Sequence, residues 1–256
     1  MRDTLLAQFD LTDRHAVVSG GNSGIGEAMA LALGLAGARL TLIARRQDRL
    51  DRARSRFEGL GITCDTVAAD LAEAAPTRRA GERIAEAGGA DILVNAAGIN
   101  LREPFEQVSA EAFDRHMAVH LRAPFLLTQV LAPGMRDRGY GRIINLASLQ
   151  SSRAFADSAP YGAAKGGIVQ LTRAIAQAWS AYGITCNAIG PGFFPTELTA
   201  PVFADAERAQ ALARQTAIGR NGRLDDLHGI TVFLASPASA YVTGQTIMVD
   251  GGFTAK

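Results

Sequence analysis

Short apolar runs alternate with helical patterns along the chain. Residues 15–19 (HAVVS) read as a buried strand, 20–26 as a glycine-rich turn and 27–36 as a helix. A second strand at 40–44 (LTLIA) precedes a charged helix over about 48–60. Further strands are expected at 64–69, 91–95 (DILVN), 142–147 (RIINLA), 185–189 (TCNAI) and 246–249 (TIMV). Long helical stretches cover roughly 106–138, 160–182 and 224–235. Strands that are apolar on both faces and separated by helices predict a parallel sheet with helices on both sides. Right-handed crossovers then make an α/β, doubly wound, seven-stranded sheet whose ligand site lies at the carboxyl ends of the strands. No repeat, low-complexity stretch or Pro/Ser-rich linker interrupts residues 1–256, so one domain is expected.

Composition narrows the function. Of 256 residues, 48% are hydrophobic and 20% charged, which excludes a disordered or fibrous chain. Lys and Arg number 26 against 25 Asp and Glu, a net charge of +1, so neither nucleic acid nor an anionic membrane is an expected partner. The N-terminal residues 1–14 hold no unbroken apolar region, so no signal peptide is expected. Two cysteines, Cys64 and Cys186, lie far apart in strand-like runs. They build neither a disulfide framework nor a metal site, and a reducing cytoplasm is the default.

The first strand runs into Ser19-Gly20-Gly21-Asn22-Ser23-Gly24-Ile25-Gly26. Glycines let the backbone approach a pyrophosphate, whose charge meets the N-terminus of the following helix. Position after a first strand and before a first helix is the context this motif needs, although a glycine cluster alone is an ordinary turn. A fold of this kind that binds NAD often places an acid on the ribose 2′-hydroxyl at the end of the second strand. Here that end reads Ala44-Arg45-Arg46. Guanidinium forks phosphate bidentately, so NADP is the expected cofactor and NAD the alternative. The same two arginines also read as the opening of a solvated basic helix continued by Arg49, Arg52, Arg54 and Arg56.

Tyr161 and Lys165, at i and i+4, share one helix face. A free phenol has a pKa of about 10 and is a poor base at neutral pH. A neighbouring ammonium is expected to favour the phenolate and so create a general acid/base for an alcohol–ketone pair. Ser148, at the end of the fifth strand, can hydrogen-bond the same substrate oxygen.

Taken together, Gly20-x3-Gly24-Ile25-Gly26, Asp70-Leu71, Asn95-Ala96-Ala97-Gly98, Ser148, Tyr161-x3-Lys165, Asn187 and Pro191-Gly192-x3-Thr196 resemble the short-chain dehydrogenase/reductase family nearly end to end. The resemblance implies a Rossmann-like fold and makes Tyr161 the acid/base. It has Ser148 orient the carbonyl and Lys165 hold the nicotinamide ribose. Gly20, Asn22, Ser23, Gly24, Ile25 and Gly26 would cradle the phosphates. Asp70 and Leu71 would meet the adenine, Asn95 would lie beside the adenosine ribose and help fix the central strands, and Ala96 and Gly98 would also bind the cofactor. Thr196 and the backbone near Phe194 would hold the carboxamide, with Pro191 and Gly192 also at the cofactor. A mobile substrate segment is expected over about 195–219, with an amphipathic helix near 205–215. Homotetramers, or homodimers, are implied through the two long helices and the last strand. Ile168, Leu171, Ile175 and Ala178 suit either the core or such an interface. Phe125 and Trp179 likewise read as core or interface.

One position departs from the family. His120 stands where the family carries a catalytic asparagine that supports a proton-relaying water. Imidazole can hydrogen-bond water, so His120 either keeps a relay or only packs. His15, His116 and His228 read as structural or exposed, and no metal is expected.

The family fixes the reaction type but not the substrate. Segments 9–12 (FDLT), 145–151 (NLASLQS) and 186–194 (CNAIGPGFF) resemble sugar-acid dehydrogenases of the gluconate 5-dehydrogenase kind. A sugar acid such as gluconate, or a related polyol, is therefore the expected small-molecule substrate. Arg102 could hold its carboxylate, or could be a surface arginine paired with Glu103 or Glu106. Asn100, Gln150 and Arg153 are further polar candidates. A 3-oxoacyl thioester is the alternative substrate, and a nucleotide-binding protein without catalysis the alternative class.

Overall fold

The computed structural model describes residues 2–256. Met1, part of the segment read for a signal peptide, lies outside them. In chain order the helices are α1 (Arg2–Leu6), α2 (Gly24–Leu35), α3 (Gln47–Glu58), α4 (Ala74–Glu86), α5 (Ala110–Met117), α6 (Ala123–Asp137), α7 (Ala159–Trp179), α8 (Ala200–Phe203), α9 (Ala206–Gln215) and α10 (His228–Ala235). The strands are β1 (His15–Ser19), β2 (Arg39–Ala44), β3 (Cys64–Ala68), β4 (Ile92–Asn95), β5 (Gly141–Leu146), β6 (Ile184–Pro191) and β7 (Thr246–Val249). They form one seven-stranded sheet in the order β3-β2-β1-β4-β5-β6-β7. Every neighbouring pair is parallel.

Alternation along the inner strands feeds two cores, which explains why β1, β4, β5 and β6 are buried at every position. Ala16, Val18, Ile92, Val94, Ile144 and Leu146 pack on one face with Met29 and Leu33 of α2 and Leu50 of α3. Val17, Leu93 and Ile143 point the other way, onto Ile84 of α4, Leu127 and Leu131 of α6 and Ile175 of α7. The strand order reverses between β1 and β4, so their carboxyl ends open a crevice at that switch point.

Two features depart from the sequence pattern. Helix α4 is unannounced in it. Pro76 sits in its first turn and Gly81 in its middle, and both blur the apolar periodicity. A Cβ on Gly81 would lie 3.2 Å from the Val130 side chain of α6, a tight contact that the glycine avoids. The stretch expected as one helix over 106–138 is instead a 3₁₀ turn (Phe105–Gln107), α5, a π-helical turn (Ala118–Arg122) and α6. The Ala123 N–H bonds to the Ala118 carbonyl, five residues back. Pro124 has no N–H for the His120 carbonyl, so the ordinary ladder cannot close there.

Candidate active site

The carboxyl ends of the strands surround a cleft of about 540 Å³. At one end is the glycine turn. Gly20 and Gly24 hold φ of +70° and +56°. A Cβ on Gly20 would sit 2.7 Å from the Ala97 Cα, and one on Gly26 would sit 2.3 Å from the Gly20 carbonyl oxygen. Only glycine lets the first turn of α2 come this close to the β4 loop. Asn22, Ser23 and Ile25 complete this wall, and Arg45, Arg46, Asp70, Leu71, Ala96 and Gly98 continue it. A glycine cradle at a helix N-terminus with guanidiniums beside it fits a phosphorylated dinucleotide.

The charged rim is already paired. Arg45 lies 3.9 Å from Asp70, and Arg46 lies 3.9 Å from Glu197. Asn95 lies beneath the lining. Its Nδ2 donates to Asn145 Oδ1 at 2.8 Å, and Asn145 in turn donates to Thr172 at 2.9 Å. The β4–β5 register brings these two asparagines opposite one another. Pro191, Gly192, Phe194 and Thr196 close the cleft from the β6 side. The Thr196 N–H donates to Thr199 Oγ1 at 2.9 Å, which fixes the turn over Gly24.

Ser148, Tyr161 and Lys165 line the other end of the same cleft. Ser148 is extended and caps a short turn, its Oγ accepting from the Gln150 N–H at 3.1 Å. Its own O–H is left to donate towards Tyr161. Ser151 donates to the Lys165 carbonyl at 2.7 Å and so ties this turn to α7. The Lys165 Nζ donates to the Leu146 carbonyl at 2.6 Å and lies 5.6 Å from the Tyr161 ring centroid.

The electrostatics differ from the sequence expectation for Tyr161. Loss of surrounding water pushes its phenol above the ordinary value, and the Ser148 hydroxyl only partly opposes this. The same burial drops Lys165 to about 7, so the amine carries only part of its charge at neutral pH.

His120 is buried against this trio, its ring 5.2 Å from that of Tyr161 and perpendicular to it. Burial, and then the Lys165 charge, hold its imidazole well below the usual range, so it is neutral. His116 stacks on it at 6.1 Å. The two rings hold the loop after β4: His120 Nε2 lies 2.8 Å from the Ile99 carbonyl, and His116 Nε2 accepts from the Leu101 N–H at 3.2 Å.

Asn100, Gln150 and Arg102 line the cleft, whereas Arg153 does not. Arg153 donates to the Lys256 carbonyl at 3.1 Å and lies over Phe253. Among the described residues Arg102 forms no ion pair with Glu103 or Glu106. Arg115 of α5 and Arg208 of α9 join it in the lining, and sequence reading missed both. Arg208 lies within the helix expected near 205–215, so that helix was the available signal. The motif residue Asn187 is structural: it donates to the Val242 carbonyl at 2.8 Å and accepts from the Gln245 N–H at 3.1 Å. Among the described residues no group of three or more His, Cys, Asp or Glu could hold a metal ion.

A parallel doubly wound sheet with a glycine cradle at its switch point defines a dinucleotide-binding α/β protein. Comparison with known proteins carries this further. A family model described as enoyl-(acyl carrier protein) reductase matches residues 20–254. Gluconate 5-dehydrogenase of Gluconobacter oxydans (strain 621H) is 38% identical over 96% of both chains. The 2-dehydro-3-deoxy-D-gluconate 5-dehydrogenase of Formosa agariphila is 36% identical, covering 96% of this chain and 95% of its own. A crystal structure of gluconate 5-dehydrogenase from Burkholderia cenocepacia J2315, in complex with NADP and tartrate, superposes with a TM-score of 0.94. It is 39% identical and covers 98% of this chain and 99% of its own. The chain belongs to the short-chain dehydrogenase/reductase family of oxidoreductases.

Proposed function

We propose that this protein is an NADP(H)-dependent oxidoreductase interconverting a secondary alcohol and a ketone on a sugar acid such as gluconate, or on a related polyol. One observation carries the reading. A single cleft joins the glycine cradle and Arg45/Arg46 to Ser148, Tyr161 and Lys165. The relatives named above act on sugar acids, and one was solved with NADP.

Bound NADP(H) supplies or accepts the hydride. In the oxidising direction Tyr161 takes the proton from the substrate hydroxyl, and in the reducing direction it gives one to the carbonyl oxygen. Ser148, with its Oγ pinned by the Gln150 N–H, turns its O–H to the same oxygen. Lys165 holds the nicotinamide ribose and feeds protons toward Tyr161. A lysine near pKa 7 exchanges protons readily at working pH. Neutral His120 offers an acceptor for a relaying water. Asn100 Oδ1 and Gln150 Oε1 are buried in the wall without partners, and both suit the O–H donors of a polyol. Arg102, with Arg115 and Arg208 nearby in the lining, suits the carboxylate.

Residues 195–219 move in this reading, since α9 carries no buried residue and can shift without breaking the core. Assembly as a homotetramer or homodimer is supported by Phe125, 47% exposed beside a surface hollow lined by Met117, Leu121 and Leu171. Of the expected helix face, Ile168 and Ile175 belong to the core while Ala178 is exposed. A cytoplasmic location agrees with two free, buried cysteines and with the lack, among the described residues, of a helix long and apolar enough to cross a membrane.

The test is nicotinamide absorbance with gluconate, other sugar acids, polyols and 3-oxoacyl thioesters. Turnover of a sugar acid or polyol with NADP, lost by about 10²–10⁴-fold in Tyr161→Phe, is expected. Turnover confined to thioesters, or parental rates in Tyr161→Phe, overturns the reading.

A further inference from the structure

Of the two arginines that a 2′-phosphate would use, Arg46 is held by an acid from the far side of the cleft. Glu197 follows Thr196 directly, and both line the cleft together with Arg46. Its Oε2 lies 3.9 Å from Arg46 Nη2, and its Oε1 lies 2.5 Å from Arg49 Nη1. Arg46 stands just before the first turn of α3 and Arg49 within it. One carboxylate thus bridges the end of β2 to the segment after β6.

This bridge has little value for the fold. Glu197 is 64% exposed at its side chain and Arg46 51%, and ion pairs this wet contribute little to stability. Its consequence is for ligands. Carboxylate and phosphate compete for the same guanidinium donors. A ribose 2′-phosphate carries about −1.5 to −2 charges at neutral pH, and a carboxylate left beside it would repel it. A 2′-hydroxyl has no such conflict.

We propose that Glu197 is a specificity-determining residue of the cofactor site: its carboxylate occupies Arg46 in competition with the 2′-phosphate, and it weakens 2′-phosphorylated nucleotides without weakening their unphosphorylated counterparts. The inference rests on the NADP reading above. It makes the preference for NADP a balance, with Arg45 and Arg46 favouring the phosphate and Glu197 opposing it. Arg49 has a part in that balance although it lies outside the lining. By drawing the carboxylate towards α3, it leaves Arg46 the longer and weaker of the two contacts.

The test uses nucleotides that lack nicotinamide, so turnover is not involved. Calorimetric titration compares adenosine 2′,5′-bisphosphate with adenosine 5′-monophosphate on the parent and on Glu197→Gln. The parent binds the bisphosphate more tightly. Glu197→Gln binds it tighter still, by about two- to fivefold for the loss of one exposed charge, with the monophosphate unchanged. The gain shrinks in high salt, because exposed charges are screened beyond about 10 Å at 0.1 M and closer in above that. Bisphosphate affinity unchanged or lower in Glu197→Gln overturns the inference, as does an equal gain for both nucleotides. If parent and variant alike fail to distinguish the two nucleotides, the NADP reading itself falls and the inference with it.

Discussion

The Nε2 of His120 lies 2.8 Å from the carbonyl oxygen of Ile99 and 3.3 Å from the Ile99 nitrogen. A carbonyl only accepts and an N–H only donates, so Nε2 cannot serve both; the shorter contact favours the hydrogen on Nε2 and the lone pair on Nδ1. The Nδ1 is buried and has no partner in the protein. The ring therefore has two jobs, one holding the loop after β4 and the other offering an acceptor beside Tyr161.

An asparagine can take over the second job: its carbonyl stands at the level of Nδ1, while its amide falls short of the Nε2 position. His120→Asn is expected to leave kcat intact or raise it. His120→Leu removes the Ile99 contact and should lose about 1 kcal/mol in urea unfolding as well as activity. A collapse of kcat in His120→Asn would show that imidazole itself is required.

The buried amine of Lys165 makes a prediction about stability. Burial lowers its pKa from 10.5 to about 7. Between those values the unfolded chain holds a proton that the folded chain has lost, so stability rises with pH across that window. Below about pH 7 both states are protonated, and the folded state carries the full cost of the buried charge. Lys165→Met removes this dependence. Relative to Lys165→Met, the parent should gain stability steadily from pH 7 to pH 10, on the order of a few kcal/mol. Parallel stability curves for the two proteins would rule out a buried, depressed lysine.

Much of this was legible in the sequence. Strands β1, β4, β5 and β6 are buried at every position, so their apolar runs stand out, and Tyr161, Lys165 and Ser148 lie at fixed offsets from those runs. What escaped notice depends on contacts between distant segments. Helix α4 hides behind Pro76 and Gly81, the latter packed closely against Val130 of α6. The π turn at Ala118–Arg122 breaks the 3.6-residue period that pattern reading assumes. The Glu197 bridge joins residues 148 positions apart from Arg49. The phenol of Tyr161 is another case. Spacing placed an ammonium near it, but only the fold shows that burial weakens that ammonium and raises the phenol.

The arginines at the end of β2 should set the choice of cofactor. Arg45 is exposed and held only at 3.9 Å by Asp70, so it is free to turn to a phosphate. Arg45→Asp is expected to lower kcat/KM with NADP by about 10- to 100-fold, the value of one charge-assisted hydrogen bond. Efficiency with NAD should hold or improve. Comparing kcat/KM for both cofactors in parent and variant checks this. A parent that uses NAD as well as NADP would place the arginines on the solvated face of α3 and nowhere else.

Arg102 should tell an acid from a neutral sugar. It stands at the cleft mouth on the loop that His116 and His120 hold, with no ion pair to either neighbouring glutamate among the described residues. An unpaired guanidinium on a fixed loop can take a carboxylate without first giving up a partner. Arg102→Ala is expected to raise KM for gluconate by about tenfold or more while changing KM for an uncharged polyol little. Arg115 and Arg208 share the lining, so each calls for the same measurement: the one whose removal reproduces the split contributes to the same anion site. Equal effects of Arg102→Ala on acid and polyol would take Arg102 out of substrate recognition. The carboxylate would then fall to Arg115 or Arg208, and a role for Arg208 would tie acid recognition to α9.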